Sequence, residues 1–290
     1  MPRIVLSASR RTDIPAFYMP WFMAQLEKGH FEMVNPYTHQ ITCLPAQPDG
    51  IHTIVFWSKN FGPFLDGAYG RRLTQMGYHL FFNFTINSPH AILEPGVPPL
   101  TARLEQLHRL AHSFGPAAVQ WRLDPICYFE VATGQSQDNL AHFEVIAEHA
   151  AKAGVTLCIT SFVDLYSKVR RRAAGSDLRW IDPPMPEKIE RIERLAHHLG
   201  ILGIQLHLCC EKELLAALPK ESKVRGAACI PNHRLAELYG PDISLARDTG
   251  QRAAAGCGCR ISKDIGNYRL HPCHHNCLFC YANPQADHLS

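Results

Sequence analysis

Short apolar runs alternate with amphipathic stretches along most of this chain, and that alternation restricts it to an α/β fold built on parallel strands with helices outside them. The apolar runs lie at residues 3–9, 53–59, 78–87, 118–126, 156–163 and 204–211, and each ends in polar residues. Between them, apolar residues recur at helical spacing: Leu100, Leu104, Leu107, Leu110 and Ala111; Leu140, Phe143, Ile146 and Ala150; Ile189, Ile192, Leu195 and Leu199. Gly115, Gly154 and Gly200 follow these stretches as expected helix stops. A first helix is predicted from Pro15 to Gly29, with Phe17, Trp21, Phe22 and Leu26 on its buried stripe. Residues 31–34 and 40–44 suit a hairpin around Asn35 and Pro36. Helical segments are expected again near Leu214–Leu218 and Leu235–Leu238.

Six strand–helix units are too few for a closed eight-stranded barrel and fit a partial (β/α)6 TIM-like barrel, with a doubly wound sheet as the alternative. The expected division is a barrel over residues 1–211 and a cysteine-rich extension over 212–290, packed on the barrel mouth. With 290 residues, 46% of them hydrophobic, the chain has enough apolar material for one large core. No apolar run approaches a membrane span and the start MPRIVLSASRR has no secretory pattern, so a cytoplasmic location is expected. The net charge of +3 is too small to predict nucleic-acid binding, and the basic run Lys168–Arg172 reads as a solvated helix face.

Eleven cysteines in a chain with no sign of secretion, most of them beyond position 208, point to metal chemistry over disulfide stapling. Cys273, Cys277 and Cys280 stand at C-x3-C-x2-C spacing with Phe279 before the third. Three soft thiolates select an iron–sulfur cluster, zinc or copper(I), and three protein ligands on a cubane leave one iron open to a ligand from outside. A zinc knuckle is the alternative, with His271, His274 or His275 as fourth ligand. A second, less specific set comprises Cys210, Cys229, Cys257 and Cys259, expected to hold an auxiliary [4Fe–4S] cluster, with structural zinc as the alternative. Cys209, adjacent to Cys210 in a strand, is expected to face the other way. Isolated Cys43, Cys127 and Cys158 read as small core residues.

Chemistry in α/β barrels gathers where strands end. The candidates there are Arg10, Arg11 and Asp13; Trp57, Lys59 and Asn60; Asn83, Thr85 and Asn87; Arg122 and Asp124; Ser161 and Asp164; His207 and Glu211. Arg122 and Asp124 sit in an otherwise apolar strand, so burial demands that each find a partner. With Lys59 they are the expected catalytic set, while Arg10, Arg11, Asp13, Asn83, Ser161 and Asp164 are expected to bind cofactor. Arginine pairs bidentately with a carboxylate such as that of an amino-acid-derived ligand.

The C-x3-C-x2-C run with its aromatic resembles the signature of the radical S-adenosylmethionine (SAM) superfamily, placed here at the C-terminal end instead of after the first strand. Together with SASRRTDIPAFY, VFWSKN, WRLDPI, SFVDLYSKV and SKDIGNY, it resembles the bacterial family known as domain of unknown function 1848 over nearly the whole chain. That resemblance implies a [4Fe–4S] cluster on Cys273, Cys277 and Cys280, SAM as cofactor, and Lys263 and Asp264 shaping the neighbouring loop or touching the ligand. It further implies a reducing partner such as flavodoxin or ferredoxin, a small-molecule or peptide substrate, and hydrogen abstraction. The rival expectations are a zinc-binding structural or nucleic-acid-binding protein, and a hydrolase with a divalent metal at Asp124, Asp164, His207 and Glu211.

Overall fold

A computed structural model describes residues 2–34, 40–131, 134–174 and 178–282. Its centre is an eight-stranded sheet of parallel pairs. The five longest-range runs predicted from apolar patterning supply its middle. These are β1 (Ile4–Ala8), β4 (Ile51–Ser58), β5 (His79–Thr85), β6 (Val119–Ile126) and β9 (Leu157–Phe162), joined by β11 (Gln205–Leu208). The strands lie in sequence order, each hydrogen-bonded to the next, so the fold is α/β with a large parallel sheet. Near-continuous burial along β4 and β5, where Ile54, Val55, Phe56, Phe81 and Phe82 have no exposed surface, is what a parallel sheet covered on both faces requires.

The strand count exceeds the expected six. β12 (Arg225–Gly226) extends the sheet beyond β11, and β13 (Lys263–Asp264) pairs with β1 on the opposite edge. Two-residue strands carry no periodicity, which is why apolar patterning passed over both. Gly258 N donates to Ala227 O and Arg260 N to Ile230 O, so the backbone leading into β13 runs along the backbone leaving β12. Residues from the expected extension are therefore part of the main sheet.

Helices fall between the strands. The segment expected as one helix from Pro15 is two: α1 (Ile14–Phe17), capped by the Asp13 side chain accepting from Ala16 N at 3.0 Å, and α2 (Met19–Lys28). Pro20 cannot donate to the preceding turn, so the chain breaks at Tyr18 and restarts with the proline in the new first turn. Gly29, at φ 80°, stops α2 as predicted. The hairpin β2 (His30–Val34) and β3 (Ile41–Pro45) forms as expected, while Asn35 and Pro36 lie outside the described residues.

α3 (Gly62–Asp66) and α4 (Tyr69–Gln75) precede β5, and α5 (Leu100–Phe114) ends at Gly115 as expected. α6 (Phe143–Lys152), α7 (Ser167–Ala173) and α8 (Met185–Ile201) follow. Gly200 is inside α8 instead of ending it; the positive φ falls at Gly203 (73°). α9 (Lys212–Ala217) and α10 (Asn232–Tyr239) match the expected late helices.

A second, antiparallel sheet was not anticipated: β10 (Leu178–Ile181), β7 (Tyr128–Val131) and β8 (Ser136–Asp138), in that order. It carries its own small core, in which Phe129, Leu178 and Leu93 pack with Cys277 and Phe279. The cysteine tail is thus seated against a cluster of apolar residues distinct from the main core. Among the described residues no helix is long and apolar enough to cross a membrane.

Candidate functional site

The first strand–helix turn is the foundation of the site. Asp13 is buried, and its two carboxylate oxygens collect four donors: Ala16 N and Ser58 Oγ (2.7 Å) on Oδ1, Lys59 N (2.9 Å) and His275 Nε2 (2.8 Å) on Oδ2. One side chain thereby ties α1, the end of β4 and the tail together. The other nitrogen of His275 lies 3.0 Å from Gly96 O, and Gly96 N donates to His275 O. A Cβ on Gly96 would come within 2.5 Å of His274 O, so this close approach of two backbones requires glycine. Leu278 N donates to Leu93 O, and Arg172 Nη1 donates to the Cys280 carbonyl.

Held this way, Cys273, Cys277 and Cys280 all line one cavity of about 130 Å³, facing Arg10, Thr12, Trp57, Lys59 and Thr85 from the ends of β1, β4 and β5. Burial pushes all three thiols up, Cys273 to about 12 with Asp13 adding to the effect. Lys59 Nζ sits 2.5 Å from Glu94 Oε1 and 5.2 Å from the Phe279 ring centroid. Burial acts to lower the Lys59 pKa, yet the Glu94 carboxylate beside it holds the ammonium above its ordinary value.

Behind the cavity runs a connected polar chain. Asn87 Nδ2 donates to Glu94 Oε1 and its Oδ1 accepts from Asp124 N at 2.9 Å. Asp124 accepts from Arg122 Nη2 and, at 2.5 Å, from Ser161 Oγ. The Arg122 and Arg10 guanidiniums lie 5.3 Å and 5.6 Å from the centroid of Trp57, whose Nε1 donates to Ser7 Oγ.

Five of the strand-end residues chosen from sequence, Arg10, Asp13, Trp57, Lys59 and Thr85, line the cavity, and Arg122, Asp124 and Ser161 belong to the chain behind it. Asp264 accepts from Arg10 N (2.8 Å) and Ser9 Oγ and lies 3.5 Å from Arg11 Nε. Asn83 donates to Cys229 O. Lys263 is exposed on β13, and Asp164 is bound by Arg252 at the surface (2.6 Å), so neither lines the cavity. Glu211 accepts from Phe162 N. The site residues that sequence reading missed are Glu94, whose loop carries no motif, and Arg172, read as solvated but buried against the tail.

The chain matches, over residues 5–282, the family described as Domain of unknown function (DUF1848). It is a member of the DUF1848 family. No curated protein matches it. Among solved structures, orotidine 5'-phosphate decarboxylase from Thermotoga maritima matches at 10% identity, covering 89% of this chain and 87% of that one, with a TM-score of 0.36, too distant to carry an argument.

In this DUF1848 chain the second cysteine set also comes together, with a correction. Cys209 and Cys210 lie past the end of β11, and Cys210 has φ 60°, so the strand alternation that would separate them does not apply. Their sulfurs are 3.8 Å apart, and Cys209 Sγ is 3.7 Å from Cys229 Sγ. Cys257 and Cys259 flank Gly258, whose N donates to Ala227 O, which brings their segment alongside the one that carries Cys229. Hydrogen bonds from Cys229 and Cys257 hold the Cys259 thiolate below the ordinary thiol range, with Arg10 assisting. Cys127 and Cys158 are core residues as expected, whereas Cys43 is exposed on the two-stranded β2–β3 hairpin.

Among the described residues no group of three or more His, Cys, Asp or Glu side chains is placed to hold a single metal ion as it stands. The chemistry of the tail donors nonetheless suits an iron–sulfur cluster, because a cubane is held by thiolates spread over several irons, and three thiols border one cavity here. Of the histidines offered for a zinc knuckle, His275 uses both ring nitrogens, His274 Nε2 is 3.4 Å from Tyr18 Oη, and His271, its ring centroid 4.1 Å from that of Trp21, has a buried Nδ1 with no hydrogen-bond partner.

Proposed function

We propose that this DUF1848 protein is a radical SAM-type enzyme, with its cluster on Cys273, Cys277 and Cys280 and its sheet rolled into a TIM-like barrel whose mouth the tail covers. The observation that carries this reading is that all three thiols share one cavity with Arg10, Thr12, Trp57 and Lys59 at the strand ends. When bound, a [4Fe–4S] cluster with one open iron would supply the electron that cleaves SAM to a 5'-deoxyadenosyl radical, which abstracts hydrogen from a small-molecule or peptide substrate.

The chain's own residues do the rest. Asp13 and His275 fix the tail over the strand ends. Lys59, held charged by Glu94 beside Cys277, lowers the cost of gathering three thiolates in a buried place. Trp57, flanked by two guanidiniums, offers an aromatic face for stacking, and the tail packs its Cys277 and Phe279 against Leu93 and Phe129. A flavodoxin or ferredoxin would deliver the electron.

Anaerobic reconstitution, iron and sulfide counting, and an assay for 5'-deoxyadenosine with dithionite test the reading. About four irons and four sulfides are expected in a protein whose second cysteine set is blocked, with product lost in Cys277→Ala. Product formation that survives the triple change of Cys273, Cys277 and Cys280 to alanine would end it.

A further inference from the structure

The basic run Lys168–Arg172 divides on folding. In α7, Val169, Arg172 and Ala173 stand at i, i+3 and i+4 and are buried, while Lys168, Arg170 and Arg171 are exposed. The buried stripe meets the cysteine tail. Ala173 belongs to the small core that contains Cys277 and Phe279, with Cys280 packed against it, and Arg172 Nη1 donates to the Cys280 carbonyl. Trp180, packed on the same core, donates from Nε1 to Val169 O at 3.4 Å. One helix, about 10–12 Å across with its side chains, therefore carries two of the tail cysteines on its inner side and three cations on its outer side.

The outer side is positive because the charges around it are already matched. Arg252 binds Asp164, in the segment leading into α7, at 2.6 Å, and Arg179 binds Glu130 at 2.5 Å on the neighbouring antiparallel sheet. Among the described residues no carboxylate pairs with Lys168, Arg170 or Arg171, and Arg170 Nε donates to the Leu165 carbonyl. The whole chain has a net charge of only +3, so these uncompensated cations concentrate its field at one place. A nucleic-acid backbone is held by a longer stripe, on the order of 6–10 phosphate contacts. Encounters with electron carriers are small and steered by charge, burying less than about 1,200 Å², and a single helix face suits them.

We propose that the exposed face of α7 is the docking surface for an acidic one-electron carrier protein, which reduces the tail centre across the helix. The inference rests on the radical SAM reading, since it needs a cluster on Cys277 and Cys280. The carrier loses one electron and the cluster gains it, with no atom transferred. Arg172 ties the helix to the backbone of Cys280, so the docking face and the ligand segment belong to one packed unit.

The test uses the full chain, with flavodoxin, an acidic flavin carrier, as the probe. One variant combines Lys168→Glu, Arg170→Glu and Arg171→Glu; a charge-matched control combines Arg71→Glu, Lys152→Glu and Lys220→Glu, at exposed positions elsewhere. On the metal-free protein at low salt, flavodoxin binding by biolayer interferometry is expected to weaken about ten-fold or more in the α7 variant and to stay within about two-fold in the control. On the anaerobically reconstituted protein, stopped-flow absorbance is expected to show reduction by reduced flavodoxin slowed by a similar factor, with reduction by dithionite unchanged. Unaltered binding and reduction in the α7 variant, an equal loss in the control, or a single-stranded oligonucleotide bound by this face in place of flavodoxin would each overturn the docking site while dithionite reduction leaves the radical SAM reading standing. Absence of a tail cluster from the unaltered chain would end that reading, and this inference with it.

Discussion

His275 Nε2 lies 2.8 Å from Asp13 Oδ2, a contact between residues 262 positions apart that joins the tail to the first helix cap. Both groups are buried, so each depends on the other for satisfaction.

Replacing Asp13 by alanine removes the acceptor for four donors at once, two of them backbone N–H groups. Leaving buried donors unpaired costs about 1–3 kcal/mol each, and partial relaxation puts the expected loss near 3 kcal/mol or more. Urea denaturation of the metal-free protein measures it. A change under about 1 kcal/mol would show that water or rearrangement replaces the carboxylate, against the bracing role given to it here.

The Lys59–Glu94 pair is almost entirely buried on the carboxylate side. Glu94→Gln leaves the ammonium without its counter-charge and is expected to cost about 3–5 kcal/mol. Combining it with Lys59→Met should recover a large part of that loss, because the stranded charge goes as well. Strict additivity of the two changes in a denaturation cycle would contradict the coupling.

Gly96→Ala pushes a methyl group into the backbone at His274 and His275. The main sheet lies away from this contact, so the expectation is a displaced tail on an intact fold. Far-ultraviolet circular dichroism should be unchanged while reconstituted iron content falls several-fold. Full iron loading in this variant would mean that the loop and tail can separate without consequence.

His52 is fully buried, with Nδ1 2.7 Å from Thr53 Oγ1 and Nε2 2.8 Å from Gly240 O, an arrangement for neutral imidazole. Burial lowers its pKa despite the Gly240 carbonyl. The unfolded chain therefore binds a proton first as pH falls. The stability contribution is complete above the ordinary imidazole value of about 6.5 and is lost as pH drops through it toward the folded value. The urea midpoint should fall between pH 7.5 and pH 5, with a shallower fall in His52→Gln; identical slopes for the two proteins would place the pH sensitivity elsewhere.

Apolar periodicity and composition were enough to determine the α/β class, six strands of the main sheet and most of the helices, because strand and helix repeats are local and burial enforces them over several residues. The C-x3-C-x2-C spacing likewise marked the tail thiols. Tertiary structure alone decided the remainder. The two-residue strands β12 and β13 are too short for any period, and the antiparallel sheet that seats Phe279 depends on contacts between distant segments. Glu94 became Lys59's partner, and Arg172 the tail's, only through chain folding across 35 and 108 residues. Cys209 joined Cys210 on one side because the backbone turns left-handed after β11, a change of geometry that strand alternation in the sequence does not encode.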